Sequence, residues 1–158
     1  MLRAQSTAML FFRAIGMERT AWSLRRLHCP VTRTALVLEV GSGGNPYARA
    51  NVLLDAYEET RERHWAPLVT DRPLVLGFAE NLPFRDHAFD FGIASHVLEH
   101  SAQPGRFLAE LQRVARAGYI ETPAYGKDIL VGTGHMHRWQ VVEFEGQLSF
   151  FEYSTRQH

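Results

Sequence analysis

Residues 36–46 read LVLEVGSGGNP: an apolar run carrying Glu39 that breaks after Val40 into Gly41-Ser42-Gly43-Gly44-Asn45-Pro46. With Ala35 included, ALVLEV is almost continuously apolar, as strands of a parallel sheet covered on both faces tend to be. A glycine turn after such a strand lets bare backbone approach a ligand, because glycine tolerates φ > 0 and has no Cβ. In α/β sheets ligands bind at the carboxyl ends of the strands. The stretch therefore predicts a strand over 35–40 and a turn that meets a nucleotide-like cofactor.

The flanking sequence extends this pattern. Residues 1–28 predict one or two helices, broken near Gly16 and closed off by Pro30. Short strands are predicted at Asn51–Leu54, with Asp55 directly after, at Pro73–Leu76, at Phe89–Ser95 and at Tyr119–Thr122. Residues 56–66 are charged and predict a helix. Pro104 suits a first helical position, and Phe107, Leu108, Leu111 and Val114 then share a face up to Gly118. Trp139–Phe144 and Gln147–Phe151 alternate around Glu145-Gly146, which predicts a β-hairpin adding antiparallel strands at one sheet edge. Strands alternating with helices imply an α/β fold, a mostly parallel sheet with helices on both faces.

Bulk properties narrow the function classes. The chain has 158 residues and a 46% hydrophobic fraction, which suits one domain with one core. Its formal net charge is zero, so no nucleic-acid partner held by phosphate neutralisation is expected. The charge is uneven. Residues 1–33 carry Arg3, Arg13, Arg19, Arg25, Arg26 and Arg33 against the single acid Glu18. Two segments are expected: a basic helical cap over 1–33 and a cofactor-binding domain over 34–158 with an abbreviated C-terminal end. Cys29 is the only cysteine, which points to a reducing, cytoplasmic setting. Met9–Phe12 is apolar, but Arg13 interrupts it, so no membrane span is expected.

The cofactor class follows from the turn and its surroundings. A dinucleotide fingerprint needs G-x-G-x-x-G leading into a helix. Gly41 and Gly43 fit, but Pro46 holds the third glycine position, and little room for a helix remains before Asn51. A P-loop is excluded because no Gly-Lys-Ser/Thr follows.

Glu39-Val40-Gly41-Ser42-Gly43 resembles the first motif of the class I S-adenosylmethionine-dependent methyltransferases, and of their type 11 domains in particular. Further segments follow in the family's order: Asp55 after the second strand, Phe78-Ala79-Glu80-Asn81-Leu82-Pro83-Phe84, Phe89-Asp90 through Ser95-His96-Val97-Leu98-Glu99-His100, and Phe107–Val114 with Gly118-Tyr119-Ile120. The resemblance covers roughly residues 35–123 and implies a Rossmann-like methyltransferase fold with S-adenosylmethionine as cofactor. By the same resemblance, Glu39 would orient the cofactor's ammonium end and Gly41, Ser42 and Gly43 would lie along its methionine portion. Asp55 would accept the ribose hydroxyls, Phe78-Ala79 would border the adenine, and Ser95 and His96 would stand beside the methionine arm. The family usually has an acid where Phe78 stands, so Glu80 or backbone groups would do the polar reading of adenine.

The expected reaction is transfer of a methyl group to a small-molecule acceptor. His135 or His137 is the candidate general base on that acceptor, since histidine titrates near neutral pH. His96 and His100 lie four apart and could join His135 and His137 in a four-histidine cluster, but no Cys or Asp spacing supports a metal, and none is expected. Trp139 is expected to pack at the sheet edge, and Tyr125 to line a pocket or pack. Two alternatives stand beside this reading. One is a non-catalytic or partner-dependent module of the same fold, with an oligomer or partner subunit possible. The other, a nicotinamide-dependent oxidoreductase, is disfavoured by Pro46.

Overall fold

The computed structural model describes residues 7–17, 20–21, 24, 27–60, 67–124 and 137–153. Helix α1 (Thr7–Ala14) buries Met9. It ends as the break at Gly16 predicts. Gly16 has φ 76°, its N–H bonds Arg13 O at 3.0 Å, and the Met17 N–H bonds Phe12 O at 2.9 Å. This pair of bonds is a Schellman closure, which needs a left-handed residue at that position.

The centre of the fold is a five-stranded parallel sheet in the order β3-β2-β1-β4-β5. Its strands are β1 (Val37–Val40), β2 (Val52–Asp55), β3 (Leu74–Leu76), β4 (Phe91–Ser95) and β5 (Gly118–Glu121). β1 and β4 are buried along their whole length, which is why they read as largely apolar runs, broken only by Glu39 and Ser95, and not as alternating ones. The order reverses between β1 and β4, whose register pairs Val40 with Ala94. That reversal is where a crevice opens beyond the strand ends.

The sheet is covered differently on its two faces. Helix α2 (Pro104–Val114) lays Phe107, Leu111 and Val114 on the face formed by Leu38, Val40, Leu54 and Ala94. It packs closely because Gly92 offers bare backbone, where a Cβ would stand 2.7 Å from Leu111 Cδ1. On the other face Leu27 joins Val37, Phe91 and Ile93, with Cys29, Val31, Tyr47 and Tyr119 against them.

Several boundaries differ from the sequence reading. α2 ends at Val114, not at Gly118, because Ala115 is extended and bridges to Phe89. Tertiary pairing overrides the helical pattern there. Residues 56–60 are not helical, and the rest of the predicted 56–66 helix lies outside the described residues. No helix lies between β1 and β2, as the short run to Asn51 requires.

The hairpin forms as predicted, β6 (Trp139–Phe144) against β7 (Gln147–Glu152), but it does not extend the parallel sheet. It docks on the 3-10 turn Leu98–His100 after β4. The Arg138 N–H bonds Glu99 O at 2.9 Å, and Trp139 Nε1 donates to Ser101 O at 2.7 Å. These bonds tie the hairpin to the turn after β4 instead of to an edge of the parallel sheet. Trp139 packs, but against the core beside the 3-10 turn and not at an edge of the parallel sheet. No helix of the described residues is long and apolar enough to cross a membrane.

Candidate cofactor cleft

A cleft of about 460 Å³ opens at the carboxyl ends of β1, β2 and β4. The turn after β1 forms its floor. The N–H groups of Gly41 and Ser42 both donate to Leu54 O, at 2.7 and 3.2 Å, which folds the turn onto β2. Gly41 has φ 69°, and a Cβ on it would come 2.1 Å from Val97 Cγ2. Glycine is required there both by conformation and by the close approach of Val97.

Asp55 ends β2 and is 8% exposed. Its Oδ2 accepts the Gly43 N–H at 2.9 Å and its Oδ1 lies 3.4 Å from the Tyr57 nitrogen. Its carboxylate is therefore held in position by backbone donors while the residue still lines the cleft. Beyond it, the rings of Tyr57 and Phe78 meet edge to face with centroids 5.6 Å apart. Both rings line the cleft and both are about half exposed.

Glu80 anchors the opposite wall. Its Oε1 accepts the Ser101 hydroxyl at 2.5 Å and the Ala102 N–H at 2.9 Å. Burial pushes the Glu80 carboxyl up, but the Ser101 hydroxyl and the surrounding backbone N–H groups outweigh it and hold the group below its ordinary value. The acid is thus fixed as an anion that ties the loop after β3 to the segment leading into α2.

His96 lies just past β4 with φ 59°, left-handed for a non-glycine residue. That conformation costs about 1 kcal/mol, and such strain gathers at functional sites. The His96 N–H continues the sheet ladder to Glu121 O at 2.8 Å. Its Nδ1 lies 3.3 Å from Oε1 of Glu99, a residue only 1% exposed.

The structure brings Gly41, Gly43, Asp55, Phe78, Ala79, Glu80 and His96 into one cleft. Three other nominated residues lie buried beside it. Glu39 Oε2 accepts the Tyr47 N–H at 2.6 Å, and the Ser95 hydroxyl donates to Glu121 at 3.0 Å. The Ser42 hydroxyl has no hydrogen-bond partner among the described residues. His137 lies outside the cleft wall, its ring edge-on to that of His100 with centroids 4.9 Å apart. His135 and Tyr125 lie outside the described residues.

Sequence reasoning missed Tyr57 and the Glu110–Arg113 pair. Tyr57 carried no sequence signal, because only its ring contact with Phe78 brings it into the cleft. Arg113 holds Glu110 and donates to Leu82 O, Phe84 O and Asp86, while Glu110 accepts the Leu82 N–H. The Leu82-Pro83-Phe84 loop is therefore pinned to α2.

The chain resembles known proteins. Residues 38–120 match the family described as a methyltransferase domain. An uncharacterized methyltransferase of Mycolicibacterium vanbaalenii is 29% identical over 130 residues, covering 77% of this chain and 50% of that protein. One from Mycolicibacterium gilvum is 30% identical over 135 residues, covering 80% and 52%. The chain thus spans about half the length of these curated relatives. Among solved structures, a putative methyltransferase of Bacillus halodurans aligns at TM-score 0.47 and 14% identity, covering 87% of this chain and 71% of that one. With its match running from β1 to β5, the chain belongs to the class I S-adenosylmethionine-dependent methyltransferases.

Proposed function

We propose that this chain holds S-adenosylmethionine in the cleft beyond β1, β2 and β4 and directs its methyl group to a small-molecule acceptor. The observation that carries the reading is the placement of Asp55. A buried carboxylate, oriented by the Gly43 N–H, faces a cleft of cofactor size. A ribose diol is a suitable partner for such a fixed acceptor.

The remaining residues suit the other parts of the cofactor. The Tyr57–Phe78 pair offers ring surface to an adenine, in place of the acid usual at the Phe78 position. Gly41 and Gly43 leave the methionine portion free to lie against backbone. Glu39 acts at one remove: its carboxylate holds the Tyr47 N–H and so fixes the loop that closes the turn. When bound, the cofactor supplies a methyl group on a sulfonium, which an acceptor nucleophile takes in line as the S–CH3 bond breaks. The chain's own work is alignment and exclusion of water, and no nucleophilic side chain is needed.

In this reading Leu27, Cys29 and Val31 cover the sheet face opposite α2. The nicotinamide alternative fares worse, because no helix follows β1 to receive a pyrophosphate.

Calorimetry with S-adenosylhomocysteine and with NAD tests the binding step. Micromolar binding of the first and none of the second is expected, and the reverse would overturn the reading. Transfer from methyl-labelled donor to a panel of hydroxyl and amine acceptors then separates an enzyme from a binding module.

A further inference from the structure

We infer that Glu99, His100 and His137 form a binding site for one divalent first-row transition-metal cation, with Zn2+ as the natural probe. One ligand atom from each residue lies within 4.8 Å of the others. Tetrahedral ligands at zinc distances stand about 3.4 Å apart, so the three atoms, within 4.8 Å of one another, need to draw together by at most about 1.4 Å.

The second observation is the state of Glu99. The residue is 1% exposed, and neither carboxylate oxygen has a hydrogen-bond partner among the described residues. A carboxylate removed from water without hydrogen bonds is strongly unfavourable unless a cation compensates it. His96 Nδ1 stands 3.3 Å from Oε1 without hydrogen-bond geometry, so it leaves that oxygen's bonding capacity unmet.

The architecture builds the cluster from distant parts of the chain. Glu99 and His100 lie on the 3-10 turn, and the bond from the Arg138 N–H to Glu99 O carries the neighbouring His137 to the same place. The hairpin's docking on this turn thereby has a chemical consequence. Two imidazoles and one carboxylate favour zinc, iron, cobalt or manganese over magnesium or calcium, which prefer all-oxygen sets. Three protein ligands leave at least one position open. His100 also lines the cleft, so the ion would stand in the cleft wall. The sequence spacing concealed the site, because it drew attention to histidines alone and left out Glu99. Cation binding does not depend on the methyl-transfer reading.

The test is titration of the chelator-treated full chain with ZnCl2 by calorimetry. One zinc per chain is expected, weakened at least tenfold in Glu99→Gln and in His137→Ala. Loading with Co2+ should give visible absorption of a low-coordinate site that both substitutions remove. Replacement of the exposed His87 by Ala should leave zinc binding as in the original chain. His137 is partly exposed at the base of the hairpin, so its variant decides the matter if Glu99→Gln fails to fold. Absence of zinc binding overturns the inference. So does binding that His137→Ala leaves undiminished, or that His87→Ala weakens equally.

Discussion

Gly43 donates its N–H to Asp55 Oδ2 at 2.9 Å, tying the turn after β1 to the acid that ends β2. Asp55 therefore both shapes the turn and faces the cleft. The two tasks separate by substitution. Asp55→Asn keeps an oxygen for the Gly43 N–H but loses the charge and one acceptor. Asp55→Ala loses both. We expect S-adenosylhomocysteine affinity to fall at least tenfold in Asp55→Ala, about 1.4 kcal/mol, and less in Asp55→Asn. Equal affinity in all three chains, measured by calorimetry, would remove Asp55 from the site.

Gly41 admits no side chain. Alanine there would hold a strained φ near 69° and drive its Cβ to 2.1 Å from Val97 Cγ2. The conformational cost is about 1–2 kcal/mol, and overpacking adds about 1–3 kcal/mol. Gly41→Ala should lower unfolding free energy by about 2–5 kcal/mol in a urea titration. Adding Val97→Ala removes the 2.1 Å contact with Cγ2 but leaves Val97 Cβ at 3.1 Å and the strained φ, so the double variant should recover part of the stability lost in Gly41→Ala. A double variant no better than the single one would mean that Val97 is not what excludes the side chain.

The parts of the fold that were legible in the sequence are those set by local chemistry. The apolar run before Gly41, the acid after Leu54 and the spacing of Phe107, Leu111 and Val114 each declare an element through residues a few positions apart. What was not legible depends on partners far along the chain. Val114 ends its helix because Ala115 bridges Phe89. The hairpin settles on the 3-10 turn because Trp139 reaches Ser101 and Arg138 reaches Glu99. Glu80 reads locally as a loop acid, yet its partners are Ser101 and Ala102. Tyr57 carries no motif, and only its ring against Phe78 brings it into the site.

The Tyr57–Phe78 pair carries a prediction of its own. Both rings are about half exposed, so neither is a large part of the core. Phe78→Ala and Tyr57→Ala should each leave the melting temperature nearly unchanged. Each should weaken S-adenosylhomocysteine by about 2- to 13-fold, the range expected when an aromatic contact of about 0.5–1.5 kcal/mol is lost. Because the rings touch each other, the double variant should lose less than the product of the two single effects. Unchanged affinity in both single variants would place the adenine elsewhere.

The Glu110–Arg113 pair predicts how stability responds to acid. Side-chain bonds from Arg113, together with the Leu82 N–H, hold the Glu110 carboxyl below its ordinary value. The folded state therefore binds the proton less readily than the unfolded one. The stabilisation is present above the ordinary carboxylate range, near pH 4.3 and higher. It is lost as pH falls through the lowered folded value. Glu110→Gln lacks this titration. At neutral pH it should melt a few degrees lower, since the loop at Leu82–Asp86 loses a charged tether. On acidification the gap between the two chains should narrow, because protonated Glu110 also gives up that tether. Thermal melts followed by circular dichroism from pH 7 to pH 3 measure the gap directly. A gap that stays constant over that range would show that the carboxylate's shape, rather than its charge, secures the loop beside the cleft.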